Sequence, residues 1–378
     1  MKRHLVPKRL ILALGWMLTL GTTQAVSGQR ADHQIPQTKG PDSTASALWF
    51  DIDATTFFRD AEFFLPYTKG YTACGFRLSP SLRYEINDRA FIRGGVMLTG
   101  IAGTDGIWKA EPILTIGYRP FQWLQLNMGT IEGSLSHKMG EPLYNRERWV
   151  YDYKEDGIQI LTHTRHWESD TWLDWEHFLE PWTPDQESFS LGTRQVLKWG
   201  NKNLHIELPL CFLGAHRGGQ FSTLDTCIET IFNGSAGLTL GYKSERFDLY
   251  AHTPVYFYKK ATAAPERHLP FDDGWGFYPQ ITSRLNLKIV EIHIGLGYWY
   301  GHQYIASRGS HLFQSTSWFD PDFSQAERHL TTVDIGLSHE YKGLNVDLNA
   351  QFYYDPDHRK LDLGVGLIMG FKTAKHIL

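Results

Sequence analysis

The chain has 378 residues, with 37 Lys and Arg against 41 Asp and Glu for a formal net charge of −4, and 14% of its residues are aromatic. That balance supplies no basic face for nucleic acid, and no run of like charge marks a polyelectrolyte partner. The three cysteines, Cys74, Cys211 and Cys227, show neither CxxC nor metal-ligand spacing, so no metal centre or cofactor is expected; a Cys211 to Cys227 disulfide is permissible in an exported protein and leaves one thiol over.

In chain order, Lys2, Arg3, Lys8 and Arg9 precede an apolar run over residues 10–20 and small or polar residues through Gly28. This is the layout of a secretory signal peptide. The apolar run is about half of the roughly 20 residues that a spanning helix needs. The expected organisation is a signal peptide over 1–28, a polar lead over 29–46, and one domain over 47–378.

From Ala47 onward, apolar and polar residues alternate with period two. Leu344, Val346, Leu348, Ala350, Phe352 and Tyr354 share one face, and Asn345, Asp347, Asn349, Gln351, Tyr353 and Asp355 share the other. A helix, with 3.6 residues per turn, would scatter both sets around its circumference. The same test predicts about sixteen strands, within a range of about fourteen to eighteen, starting near Ala47, Tyr71, Ala90, Ile107, Phe121, Gly157, Thr171, Glu187, Asn203, Gly234, Arg246, Trp275, Lys288, Leu330, Leu344 and Leu361. Most exceed the five or six residues, roughly, usual in soluble sheets and suit strands that cross a bilayer.

Tight turns, as at Asn87 to Arg89, Arg119 and Pro120, near His166 to Asp170, Gly200 to Asn203, Lys243 to Arg246 and Lys342 and Gly343, tend to alternate with longer connections after Arg59, Ser134, Leu179, His216, Lys259 and His302. A transmembrane antiparallel β-barrel predicts this pattern, with short periplasmic turns and long outer loops. Aromatics such as Trp108, Tyr118, Tyr242, Trp275, Tyr298, Tyr341 and Tyr354 stand near strand ends, where headgroups would meet them. A β-sandwich would have shorter strands, and a propeller a repeat that is not found. The fold class expected is therefore all-β, a single barrel in a bacterial outer membrane.

The segments Ser136-His137-Lys138-Met139-Gly140-Glu141-Pro142-Leu143-Tyr144-Asn145, Asp156 to Leu161, Asp174-Trp175-Glu176-His177-Phe178, Asp185-Gln186-Glu187 and His216-Arg217-Gly218-Gly219-Gln220 resemble a family of porin-like outer-membrane β-barrels of Bacteroidetes-type bacteria. The likeness is better over residues 129–221 than at either end. It implies an envelope protein and supplies no substrate or catalytic residue. One departure from many such barrels is Leu378 in place of a terminal aromatic, with Phe371 seven residues earlier.

In a barrel the inward face sets selectivity. Its candidate groups are Arg77, Arg83, Glu85, Arg93, Lys109, Glu111, Arg194, His205, Glu207, Asp248, His252, Arg284, Glu291, His293, Asp334, Asp347 and Asp362. Mixed signs suit neutral or zwitterionic solutes, or a lumen held closed by ion pairs. Ser136 and His137 invite a hydrolase reading, but neighbours on an extended chain face opposite ways and would not share a proton. Asp174 and Glu176 could flank a sugar bond, hold a divalent cation, or form an inward ladder with Arg165 or Arg194, the last being favoured. His216 and Arg217, before two glycines, open a loop able to fold into the bore. In the last long loop, Tyr304, Phe313, Trp318 and Phe319 could stack on sugars or pack together to close the rim.

The function expected is a porin-like channel for small hydrophilic solutes, with outer-membrane lipid and the barrel-assembly machinery as partners and a homotrimer possible. The alternatives are a closed barrel serving as receptor or scaffold through its loops, and a barrel enzyme acting on lipid or glycan. No enzymatic activity is expected in the leading reading.

Overall fold

A computed structural model describes residues 46–180, 182–183, 185–219, 228–263 and 269–378. The signal peptide and nearly all of the polar lead lie outside these residues, as does Cys227. Cys74 and Cys211 carry free thiols.

Among the described residues, nineteen strand segments form one antiparallel sheet that closes on itself, β1 (Ala47–Glu62) pairing with both β2 (Tyr71–Glu85) and β19 (Lys360–His376). Three pairs of segments are single strands with an interruption, because β9 (Leu204–Gly218) runs beside both β10 (Glu229–Ala236) and β11 (Thr239–Lys243). Likewise β12 (Phe247–His252) continues as β13 (Val255–Thr262), and β14 (Asp273–Phe277) as β15 (Gln280–Asn286). The barrel thus has sixteen strands. The breaks fall beside Pro254, Pro279 and Gly237, whose N–H bonds to the carbonyl of Pro209 across the gap. Proline has no N–H to donate to a ladder, so each one opens it locally without ending the strand.

Burial is inverted relative to a water-soluble sheet. In β18 (Leu344–Asp355), Asn345, Asp347, Asn349, Gln351 and Asp355 are buried, while Leu344, Leu348 and Tyr354 are exposed. The apolar side chains form the outside of the wall, where only lipid tails can cover them. Tyr118, Tyr242 and Tyr341 lie outward at the periplasmic rim, and Trp108, Trp275, Tyr298 and Tyr354 outward at the outer rim. Both belts sit where amphipathic rings favour the interface.

The outer half of the bore is filled. The connection 131–155, between β5 (Leu124–Thr130) and β6 (Asp156–His163), folds inward, and so does 303–326, between β16 (Glu291–His302) and β17 (Glu327–Tyr341). Leu143, Tyr144, Tyr304, Ile305, Leu312 and Phe313 of these loops pack with wall residues Trp172, Leu213, Tyr256, Tyr278, Trp299 and Tyr353 in one buried cluster. The loop after His216 was expected to do this, but His216 and Arg217 are still in β9, and residues 220–227 lie outside the described ones. Of the aromatics after His302, Tyr304 and Phe313 pack inward as the closing arrangement requires, whereas Trp318 and Phe319 stay exposed.

Candidate functional site

The inward face of β7 (Trp167–His177) carries Glu168, Asp170, Trp172, Asp174 and Glu176, a column of four carboxylates and one indole. Side chains two apart on a strand share a face, so this column follows from the period alone. What each carboxylate meets differs. Glu168 binds Lys198 at 2.8 Å and Arg194 at 3.0 Å. Asp170 binds His137 at 2.8 Å and accepts from Gln159 at 3.0 Å. Asp174 accepts the Asp156 N–H at 3.0 Å. Glu176 accepts from Ser190 at 2.9 Å and from Arg308 Nε at 2.7 Å.

His137 ends a short 3-10 turn, Ser134–His137, and is fully buried. Its Nδ1 faces Asp170 and its Nε2 faces Glu155, each at 2.8 Å, and its ring lies flat on Trp172 with centroids 3.4 Å apart. Glu155 also accepts from Tyr144 and from the Ser134 N–H. Burial alone would lower the His137 pKa, but the two carboxylates outweigh it and raise it to about 9. Burial pushes Glu155 up, and the facing imidazolium with its hydrogen bonds overrides this and holds it below the usual carboxylate range. The ring is therefore an imidazolium with both nitrogens donating, which leaves no lone pair to take a proton from Ser136 or Ser134. The sequence argument against a serine–histidine pair assumed an extended chain; the chain is a turn there, and the clamp is the actual reason.

Further contacts tie the inward loops to strands around the barrel. Glu147 pairs with Arg59 on β1, with Nε to Oε2 at 3.1 Å. Arg146 reaches Asp334 on β17 at 2.6 Å, and Tyr353 on β18 donates to Glu141 at 2.9 Å. Asn233 on β10 donates to the Ile305 carbonyl at 2.7 Å. Burial raises the Glu141 carboxyl above its usual range, and Arg146 only partly counters this. The two loops are joined by the Asn145 N–H to the Arg308 carbonyl, 2.6 Å, and by the Tyr304 hydroxyl to the Pro142 carbonyl, 3.0 Å.

The other expected lumen residues divide between inner ladders and the wrong face. Arg93 donates to Ser81 at 2.9 Å, Arg284 binds Glu291 at 3.0 Å and lies across from His293, and Asp347 accepts from Ser338. Glu111 faces inward beside Met97. His216 is not a lumen group: it pairs with Phe189 on the membrane side and contacts Thr230 at 3.0 Å. Arg217 points inward at the outer mouth, opposite Ser188 and Glu229. The ladder expected between Glu176 and Arg165 or Arg194 is replaced by Arg308, 132 residues away in sequence, while Arg194 serves Glu168. His137, Glu155 and Arg308 were missed as a group because their proximity is made by loops. Among the described residues, no set of three or more His, Cys, Asp or Glu side chains is placed to hold a metal ion.

Solved structures with a similar fold include a loop L8 deletion mutant of OmpT, an outer membrane protein of Vibrio cholerae, at 12% identity and TM-score 0.52, covering 87% of this chain and 100% of that one. The trimer form of in-vitro folded OmpT from the same organism matches at 10% identity and TM-score 0.51, over 87% of this chain and 100% of that one. OprB of Pseudomonas putida at high pH matches at 9% and 0.50, over 86% of this chain and 94% of that one. At such identities the likeness is one of fold, that of an outer-membrane β-barrel. No curated protein matches the sequence. A family model described as lipid A 3'-O-deacylase-type matches residues 39–378, the whole barrel. This overturns the expectation that the chain is no enzyme, which rested on Ser136 and His137 facing opposite ways on an extended chain and on Asp174 and Glu176 being read as an inward polar ladder. The chain belongs to the lipid A 3'-O-deacylase-type family.

Proposed function

We propose that this protein hydrolyses an ester-linked acyl chain of lipid A, working from the outer leaflet. Water would add to the ester carbonyl, the sugar hydroxyl would leave with a proton, and a free fatty acid would result. The observation that carries the reading is the family match across residues 39–378. A bore whose outer half is occupied by residues 131–155 and 303–326 supports it, since the exposed working surfaces are then the outer mouth and the lipid-facing wall. His137 serves here as a clamp that positions its loop and is not the general base, because a base needs a free lone pair near the operating pH.

A porin-like channel for small hydrophilic solutes is the second reading, favoured by the charged periplasmic half of the bore. The test is to incubate the detergent-folded full chain with lipid A and follow its mass. Loss of one acyl chain, with an equal amount of fatty acid appearing, is expected. Unchanged lipid A beside a correctly folded barrel would overturn the hydrolase.

A further inference from the structure

On β7 the residues between the inward carboxylates point the other way, toward the membrane, and two of them, Ser169 and Thr171, are polar. Register sets three more polar side chains on the same face: Thr162 on β6 opposite Ser169, and Gln195 and Thr193 on β8 (Glu187–Gly200) opposite Ser169 and Thr171. The Gln195 amide nitrogen lies 2.8 Å from the hydroxyls of Ser169 and Thr193 and 3.2 Å from that of Thr171, and its oxygen accepts from the Trp167 indole at 2.8 Å. Thr171 and Thr193 share a hydrogen bond of 2.7 Å. Ser169 and Thr171 follow Trp167 by two and four residues. At about 3.3 Å per residue and a tilt of about 40°, they lie roughly 5 and 10 Å into the membrane from the periplasmic rim. The next outward row is apolar again, with Ile158, Leu173 and Leu191. The matching positions of β18, on the far side of the barrel, hold Val346 and Leu348, and the outward Ser283 stands among Leu249, Ile281, Leu285 and Ile294.

Hydrocarbon neither donates nor accepts a hydrogen bond, so a polar group it covers costs free energy unless protein meets it. The cluster satisfies itself only in part. Ser169, Thr171 and Thr193 bring three O–H protons, the bond between the two threonines uses one, and among the described residues no acceptor takes the others. We propose that this patch is the centre of an interface with a second copy of the chain, related to the first by a two-fold axis along the membrane normal. A second copy brings the same patch to the same depth. Hydroxyls and an amide both donate and accept, so the patch is complementary to itself, as a two-fold contact requires, and it carries no charge to oppose the pairing. Apolar walls gain little by meeting in a bilayer, because lipid tails cover them equally well; polar side chains bonded across the seam supply the preference. Trp123, Trp167 and Trp199, exposed at the periplasmic rim, close the seam at headgroup level. The proposal rests on the lipid-facing wall and not on hydrolysis.

The test is sedimentation equilibrium of the full chain in density-matched detergent micelles, over a range of protein-to-detergent ratios. The wild type is compared with a triple variant, Thr171→Val, Thr193→Val and Gln195→Leu, which keeps the bulk of the patch and removes its polarity, and with Ser283→Ala, which removes a hydroxyl elsewhere on the wall. The wild type and Ser283→Ala should form dimers with the same dissociation constant. The triple variant should raise that constant at least about tenfold, as losing two or three hydrogen bonds across a membrane interface implies. Heat-modifiable gel mobility checks that each variant is folded; should the triple variant misfold, Thr193→Val alone takes its place, with a rise of about threefold expected. A wild type that stays monomeric at every ratio, a trimer in place of the dimer, or a dimer that the apolar variant forms equally well would each overturn the proposal.

Discussion

The two halves of the bore use the same kinds of inward side chain and differ in what surrounds them. In the periplasmic half, Arg83 with Asp51, Arg284 with Glu291 and Lys372 with Asp53 lie at 2.8 to 3.0 Å with their side chains partly open to water. In the outer half, His137 with Glu155, Arg59 with Glu147 and Arg328 with Asp355 are covered almost completely by the two inward loops. Solvated pairs contribute about 0–1 kcal/mol each, whereas removing one member of a buried pair strands its partner's charge and costs about 3–5 kcal/mol. Identical chemistry therefore acts as a polar lining in one half and as a set of latches in the other.

The largest effect should come from His137→Ala, which leaves the Glu155 and Asp170 carboxylates buried and facing each other. About 3–5 kcal/mol of loop seating should be lost, seen as fast hydrogen exchange and protease cleavage within residues 131–155 of a barrel that keeps its heat-modifiable mobility; unchanged protection would break the contrast between the halves. A smaller loss, about 1–3 kcal/mol, is expected for Arg308→Ala, because the Glu176 it abandons keeps Ser190 as a donor and some contact with water. Exchange in residues 303–311 reads this, and restored protection in a variant that swaps Arg308 and Glu176 would sharpen it.

The clamp also gives a pH window. The His137 pKa is raised in the fold, so its stabilisation is complete below the ordinary value near 6.5 and drains away as pH rises through about 9. Glu155 is depressed, so its share is complete above the ordinary carboxylate value and drains away as pH falls below it. Protection of loop 131–155 should thus be greatest between these limits, and loosening between pH 7 and 10 should vanish in His137→Gln. The smallest effect belongs to the periplasmic half, where Arg284→Ala should change thermal stability by less than about 1 kcal/mol.

The wall was legible in the sequence to within a few residues, because period two and turn chemistry are local. Leu344 to Asp355 gave its two faces directly, and Lys342-Gly343 its turn. Interruptions at Pro254 and Pro279 did not hide the strands, since the alternation resumes after each. The filling of the bore was not legible, because Arg308 and Glu176 or Arg59 and Glu147 are brought together by loops whose path no local pattern encodes. His216 was put on the wrong face because it was assigned to a loop, whereas β9 continues two residues past it. A barrel enzyme acting on lipid or glycan stood third among the readings because Ser136 and His137 were taken as extended chain, and the family match rather than any local pattern brings it forward.

Single-channel recording of the full chain in planar bilayers tests the filled bore most directly. The wild type near neutral pH should show no steady ohmic step, and His137→Ala should show flickering openings as residues 131–155 come loose. A stable, porin-sized ohmic conductance in the wild type would contradict the account.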